Sequence, residues 1–207
     1  ATNPIEAEAE AALQAEADTL CRDGRLRSLL QRHWPLPGGP GGPGDGPVPR
    51  LQVHPADQML LHSLRHHRDA HAAVSQYYNV ALQQYQAARQ ILDALLPPAV
   101  GRLEVLDFAC GFGRLIRFLS CCGRDLHLNV SEIQDDALQF VAATFDADPM
   151  PSSLRPEDFA PGRRFDFIWV ASLFSHLPEG LFHRWLKQLL GLLTPRGVLC
   201  FSVHDQA

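Results

Sequence analysis

The sequence contains no apolar run near the ~18 residues of a membrane-spanning helix, and no charged segment followed by an apolar leader at its start. A membrane protein is therefore not expected, and the cytoplasm is the expected setting. Positive charge is also in short supply: 18 Lys and Arg stand against 23 Asp and Glu, for a net charge of −5. Such a chain has no general attraction for nucleic-acid phosphate. The five cysteines are odd in number and lack C-x-x-C spacing, which argues against a disulfide framework or a zinc ribbon. Cys110, Cys121 and Cys122 read as small buried fillers.

What is present is enough for one α/β domain. The 207 residues are 46% hydrophobic, a length and composition that can bury a real core. Residues 1–34, rich in Ala and Glu with scattered Leu, read as one or two helices. Pro35–Pro49 is mostly Pro and Gly and cannot bury enough apolar surface to order itself, so residues 35–50 are expected to form a flexible linker. Residues 51–207 then hold a helical prelude, His54–Leu96, and an α/β core from about residue 100. In the prelude His62/His66 and His67/His71 are spaced i, i+4, but no carboxylate or Cys completes a ligand set. No metal site is expected.

The most informative stretch begins at Leu103. An apolar run ends in Asp107, a small-residue turn carries Gly111 and Gly113, and a helical pattern starts at about Arg114. That order predicts a buried strand, a tight loop with little side-chain bulk, and a helix. Glycine lets a ligand approach the backbone, and open α/β sheets place ligands at the C-terminal ends of their strands. A dinucleotide site wants G-x-G-x-x-G, but Ile116 stands where the third Gly should be. Asp107 would also bring a carboxylate towards a pyrophosphate. A carboxylate suits a ligand with an ammonium group and hydroxyls, so the loop fits S-adenosylmethionine better than NAD(P). At Val105-Leu-Asp-Phe-Ala-Cys-Gly-Phe-Gly113 the chain resembles the class I S-adenosylmethionine-dependent methyltransferases, whose first motif reads roughly V-L-D-x-G-C-G-x-G. Ala109 replaces that motif's first Gly.

Later segments keep the same order. Leu126–Val130 alternates and ends near Ser131-Glu132-Ile133, and a helix is expected from Gln134. Glu132 follows Asp107 by 25 residues, which places an acid at the tip of the second strand, where ribose hydroxyls are held. Phe165–Ser172 reads as a strand and Glu179–Leu193 as a helix, which Thr194-Pro-Arg-Gly197 closes before a further strand at Val198–Val203. F-D-x-I-W-V, H-L-P and L-x-P-x-G-V-L-x-F-S resemble the fourth and fifth strand units of the same family. The resemblance covers about Tyr77 to His204. It implies a Rossmann-like, mostly parallel sheet with helices on both faces and a helical N-terminal extension. It also implies S-adenosylmethionine as cofactor and a small-molecule acceptor.

The resemblance assigns the site. Asp107 would face the methionyl ammonium, with Ala109, Cys110, Gly111, Phe112 and Gly113 lining the methionyl and ribose portions. Glu132 would hold the ribose and Ile133 pack on the adenine, with Ser153 and Leu154 at the adenine edge. Ala171 and Ser172 would lie beside the transferable methyl, and Tyr78, or its neighbour Tyr77, on the preceding helix would touch the ligand. His176 is the candidate general base. The fourth strand ends without N-P-P-Y, which argues against transfer to the amide of glutamine or the exocyclic nitrogen of adenine. Family members continue past the fifth strand with further strands, so the sheet is expected to be incomplete after it. A fragment, or a partner chain covering the last strand, would account for this. The competing readings are a non-catalytic binding module of the same fold and an NAD(P)-binding oxidoreductase.

Overall fold

The computed structural model describes residues 4–33, 49–98 and 101–203. Most of the Pro–Gly segment expected as a linker lies outside the described residues, as do residues 204–207. By packing the chain divides into two units, Ala1–Gln84 with Cys121–Gly123, and Tyr85–Ser120 with Arg124–Ala207.

The first unit is helical. It holds α1 (Pro4–Arg22), α2 (Gly24–His33), α3 (Gln58–His67) and the first part of α4 (Ala70–Leu95). Asp57 caps α3 by accepting from the backbone of Met59 and Leu60, which satisfies two of the amides that a helix start leaves without partners. The Tyr77 hydroxyl donates to Asp57 Oδ2 at 2.7 Å, and the Tyr78 hydroxyl donates to the Leu51 carbonyl. These two bonds tie the extended segment before α3 to α4.

The second unit is the sheet. Its strands are β1 (Leu103–Phe108), β2 (Leu126–Glu132), β3 (Asp148–Pro151), β4 (Phe165–Val170) and β5 (Leu193–Phe201). They run in the order β3-β2-β1-β4-β5, and every pairing is parallel. Between them lie α5 (Ile116–Leu119), α6 (Asp135–Phe145) and α7 (Glu179–Gly191). The chain moves outward from β1 to β2 and β3, then returns to β4 and moves the other way to β5. Right-handed crossovers put the helices of these two halves on opposite faces. The order reverses between β1 and β4, and such a switch point opens a crevice at the strand ends. Leu106, Phe108, Ile168 and Val170 form the core of one face with Trp185 and Leu189 of α7.

Two local features differ from expectation, and the third strand has an edge character of its own. The helix predicted from about Arg114 is a single turn, α5, with turns occupying residues 111–115. The segment leaves the helix at Ser120, and Gly123 in the left-handed region follows before β2. β5 starts at Leu193, not Val198. Its Pro–Arg–Gly segment forms an irregularity in which Phe165 pairs with Leu193 but Phe167 with Val198. Gly197 is required there, since a Cβ would sit 2.7 Å from the Phe165 carbonyl oxygen. β3 is short and carries Pro149 and Pro151. The Ser152 amide donates to the Glu132 carbonyl, so the alternate residues 149 and 151 turn to the open edge, where a missing N–H costs nothing.

Candidate functional site

The first unit of the site is the end of β1. β1 is buried on both faces near its end, Asp107 is only 4% exposed, and no described residue donates a hydrogen bond to its carboxylate. Burial, with Glu132 nearby, pushes the Asp107 carboxyl up to about 7, and Arg114 opposes the rise. A buried carboxylate without donors is a poor arrangement for a charge on its own and a good one for a cationic ligand group. Cys110 lies in the same environment. Burial first, then Asp107 and Glu132, raises its thiol well above the usual value, so it is not a thiolate nucleophile.

The loop that follows is shaped by positive φ. Ala109 has φ +56°, Gly111 +53° and Gly113 +82°. The two glycines serve different needs. A Cβ at Gly113 would lie 2.8 Å from Phe145 Cε2 and 2.9 Å from Ile116 Cγ2, so Gly113 lets α5 and α6 approach the loop. A Cβ at Gly111 would meet nothing within 4 Å. The close helix packing that a dinucleotide loop assigns to its third Gly is thus made here by Gly113 against Ile116 itself. Ala109, at the position of the first motif's first Gly, adopts the left-handed conformation that glycine takes without strain.

β2 supplies the brace. Glu132 is 9% exposed; its Oε2 accepts from the Gly111 amide at 2.9 Å. Its Oε1 accepts from the amides of Ile133 at 2.7 Å and Gln134 at 3.3 Å. The Cys110 amide donates to the Ser131 carbonyl at 3.1 Å. The carboxylate therefore holds the glycine loop against the tip of β2. A carboxylate has about four acceptor positions, so one is left for a ligand hydroxyl. Next to it Ile133 and, after β3, Leu154 stand exposed, Leu154 at 81%. The Ser153 hydroxyl accepts from the Arg155 amide.

At β4, Ala171 is half-buried and Ser172 exposed. Ser172 also has positive φ, +56°, and its amide donates to the Ser202 hydroxyl at 2.8 Å. His176 closes a short 3-10 helix, Phe174–His176, and is exposed. Tyr78 belongs to the helical unit, where it is buried and bonded to Leu51. Three residues were missed in the sequence: Arg114, whose charge acts on Asp107; Ser202, which holds the Ser172 backbone; and Trp169, the register partner of Asp107. Arg114 was legible as a charge just after the second glycine. The other two depend on strand register.

Residues 80–207 match the family described as Methyltransferase domain. The chain belongs to this family. The methyltransferase domain begins inside α4 and includes every strand. No curated protein sequence matches the chain. Among solved structures, the amino pentose methyltransferase of Micromonospora echinaspora, involved in calicheamicin biosynthesis and determined with S-adenosylmethionine bound, is similar at 16% identity and a TM-score of 0.50. That likeness covers 59% of this chain and 51% of the other. An S-adenosylmethionine-dependent methyltransferase from Clostridium acetobutylicum is similar at 16% identity and TM-score 0.47, over 58% and 50% of the two chains. A sugar N-methyltransferase from a Streptoalloteichus species is similar at 21% identity and TM-score 0.48, over 58% and 47%. The chain thus spans about half the length of these structures. The fold is that of the class I methyltransferases. Among the described residues no helix is long and apolar enough to cross a membrane.

Proposed function

We propose that this methyltransferase domain binds S-adenosylmethionine at the ends of β1 and β2 and directs methyl transfer to a small-molecule acceptor. The observation that carries this reading is Asp107, a nearly inaccessible carboxylate without hydrogen-bond donors beside a loop whose backbone is bare at Gly111. An ammonium group supplies the charge and the donors that Asp107 lacks. The free acceptor position of Glu132 suits one ribose hydroxyl; taking both requires release of the Gln134 amide, whose bond is the longest of the three. Ile133 and Leu154 offer exposed apolar surface for the two sides of an adenine.

The bound cofactor supplies an electrophilic methyl group and its own leaving group. The protein's task is then to hold donor and acceptor close and collinear. Asp107 and the Cys110–Gly113 backbone orient the amino-acid end. Ala171 and Ser172, at the end of the neighbouring strand, line the place where the acceptor meets the methyl. His176 takes the acceptor's proton. The acceptor is a sugar, lipid or secondary metabolite; the fold shared with an amino pentose methyltransferase is in keeping with this. The free thiols Cys110 and Cys200 are in keeping with a cytoplasmic setting.

Calorimetry with S-adenosylhomocysteine and with NAD tests the proposal. Binding of the first and not the second is expected, with Glu132→Ala weakening it at least tenfold while circular dichroism stays unchanged. Binding of NAD alone would overturn the reading in favour of an oxidoreductase. Binding of neither would leave a module that keeps the fold without its cofactor.

A further inference from the structure

We propose that the indole N–H of Trp169 is a ligand-binding donor, reading the carboxylate of an amino-acid zwitterion whose ammonium faces Asp107. This inference rests on the cofactor reading above and deepens it. Trp169 is 8% exposed, and its Nε1 is buried without a hydrogen-bond partner among the described residues. An indole nitrogen is a donor only, and buried donors left unpaired are uncommon in folded proteins. Its place in the sheet is specific. Asp107 and Trp169 are direct register partners on the adjacent parallel strands β1 and β4. Strands lie about 4.8 Å apart, and paired residues point to the same face. The two residues thus stand side by side near the strand ends, one with an unpaired buried donor and the other with a carboxylate to which no described residue donates. Phe167, two residues earlier on the same face, stacks on the indole at 6.3 Å and 25°, which limits its reorientation.

The charges of the site explain why the acceptor is a carboxylate. A zwitterion brings its own negative group within a few bonds of the ammonium, where Asp107 and Glu132 would repel it. A site that accepts such an end needs donors on the Asp107 side. Arg114, which acts electrostatically on Asp107, supplies a charge there, and Trp169 supplies a directed neutral donor. A ligand without the amino-acid end makes no use of either.

The test compares S-adenosylhomocysteine with 5′-methylthioadenosine, which keeps the nucleoside and sulfur but has no amino-acid end. Trp169→Phe retains an aromatic ring for stacking on Phe167 and removes the N–H. The expected result is a five- to twentyfold loss of S-adenosylhomocysteine affinity, with methylthioadenosine affinity unchanged and the thermal midpoint equal or higher. In the wild-type protein, the Trp169 indole N–H resonance should shift, and its exchange slow, with S-adenosylhomocysteine and not with methylthioadenosine. That readout serves should the variant fold poorly. Equal affinity in variant and wild type, an equal loss for both ligands, or an indole resonance indifferent to the amino-acid end would each overturn the inference while leaving the cofactor reading intact. Failure of the wild type to bind S-adenosylhomocysteine would remove both.

Discussion

The ends of β1 and β4 lie side by side, and both turn through a left-handed residue that is not glycine: Ala109 at φ +56° and Ser172 at φ +56°. Beyond that they diverge. The β1 turn is buried, runs into two glycines and is fastened to β2 through the Glu132 carboxylate. The β4 turn is exposed and fastened by one hydroxyl, that of Ser202. The first is a backbone cradle with almost no side chain to vary. The second presents side chains that can change with little effect on the sheet. The proposed function calls for that division, a fixed cradle for the cofactor and a variable rim for the acceptor.

The largest expected effect separates the two glycines of the rigid turn. Gly113→Ala places a Cβ against Phe145 and Ile116 at positive φ and should destabilise the fold by roughly 2–4 kcal/mol, read as a lowered midpoint in urea. Gly111→Ala meets open space, so its cost should be about 1 kcal/mol of backbone strain. It should nevertheless lose most of its S-adenosylhomocysteine affinity, because the methyl enters the cradle. Similar stability losses for both variants would erase the distinction drawn between them.

Asp107 comes next. Its carboxyl is charged above about pH 3.8 when the chain is unfolded but only above about 7 when folded. The stability this group contributes is therefore full below pH 3.8 and lost as pH rises to about 7. Asp107→Asn should stabilise the ligand-free protein at pH 8 by roughly 2–4 kcal/mol and abolish measurable cofactor binding. Loss of stability in this variant would mean that Asp107 has a structural partner. The smallest effect is at the shared left-handed position: Ala109→Gly should relieve strain, with a gain of roughly 0.5–1 kcal/mol. A loss of stability there would show that the alanine methyl is packed and not merely tolerated.

Much of the β1 end was readable in the sequence, because its signals are local. An apolar run, an acid and two glycines specify a strand and a turn without reference to the rest of the chain. Glu132 was readable as an acid at the next strand tip, though not as the brace for Gly111. The pitch of the glycine loop against its helices was not readable, since Gly113 answers to Phe145 and Val141 on α6. A helix from about Arg114 was expected because the pattern does not register the turns at residues 111–115 that delay α5 to Ile116. Pro195 and Gly197 looked like a helix stop and a fresh strand, whereas β4 draws them into an irregular stretch of β5. Trp169 was invisible as a functional residue. Its interest lies in register with Asp107 and in an unpaired N–H, and neither is encoded in a single segment.

The central claim is that Asp107 waits, largely protonated below neutrality, for a cationic partner. Around it stand Glu132 from β2 and Arg114 and Cys110 from the loop, and the balance favours the neutral acid until about pH 7. Calorimetric titration with S-adenosylhomocysteine between pH 6 and pH 8 tests this most directly. The account predicts affinity about tenfold higher at the upper pH, with proton release near neutrality, and loss of binding at both pH values in Asp107→Asn. Affinity indifferent to pH, or full binding by the Asn variant, would contradict it.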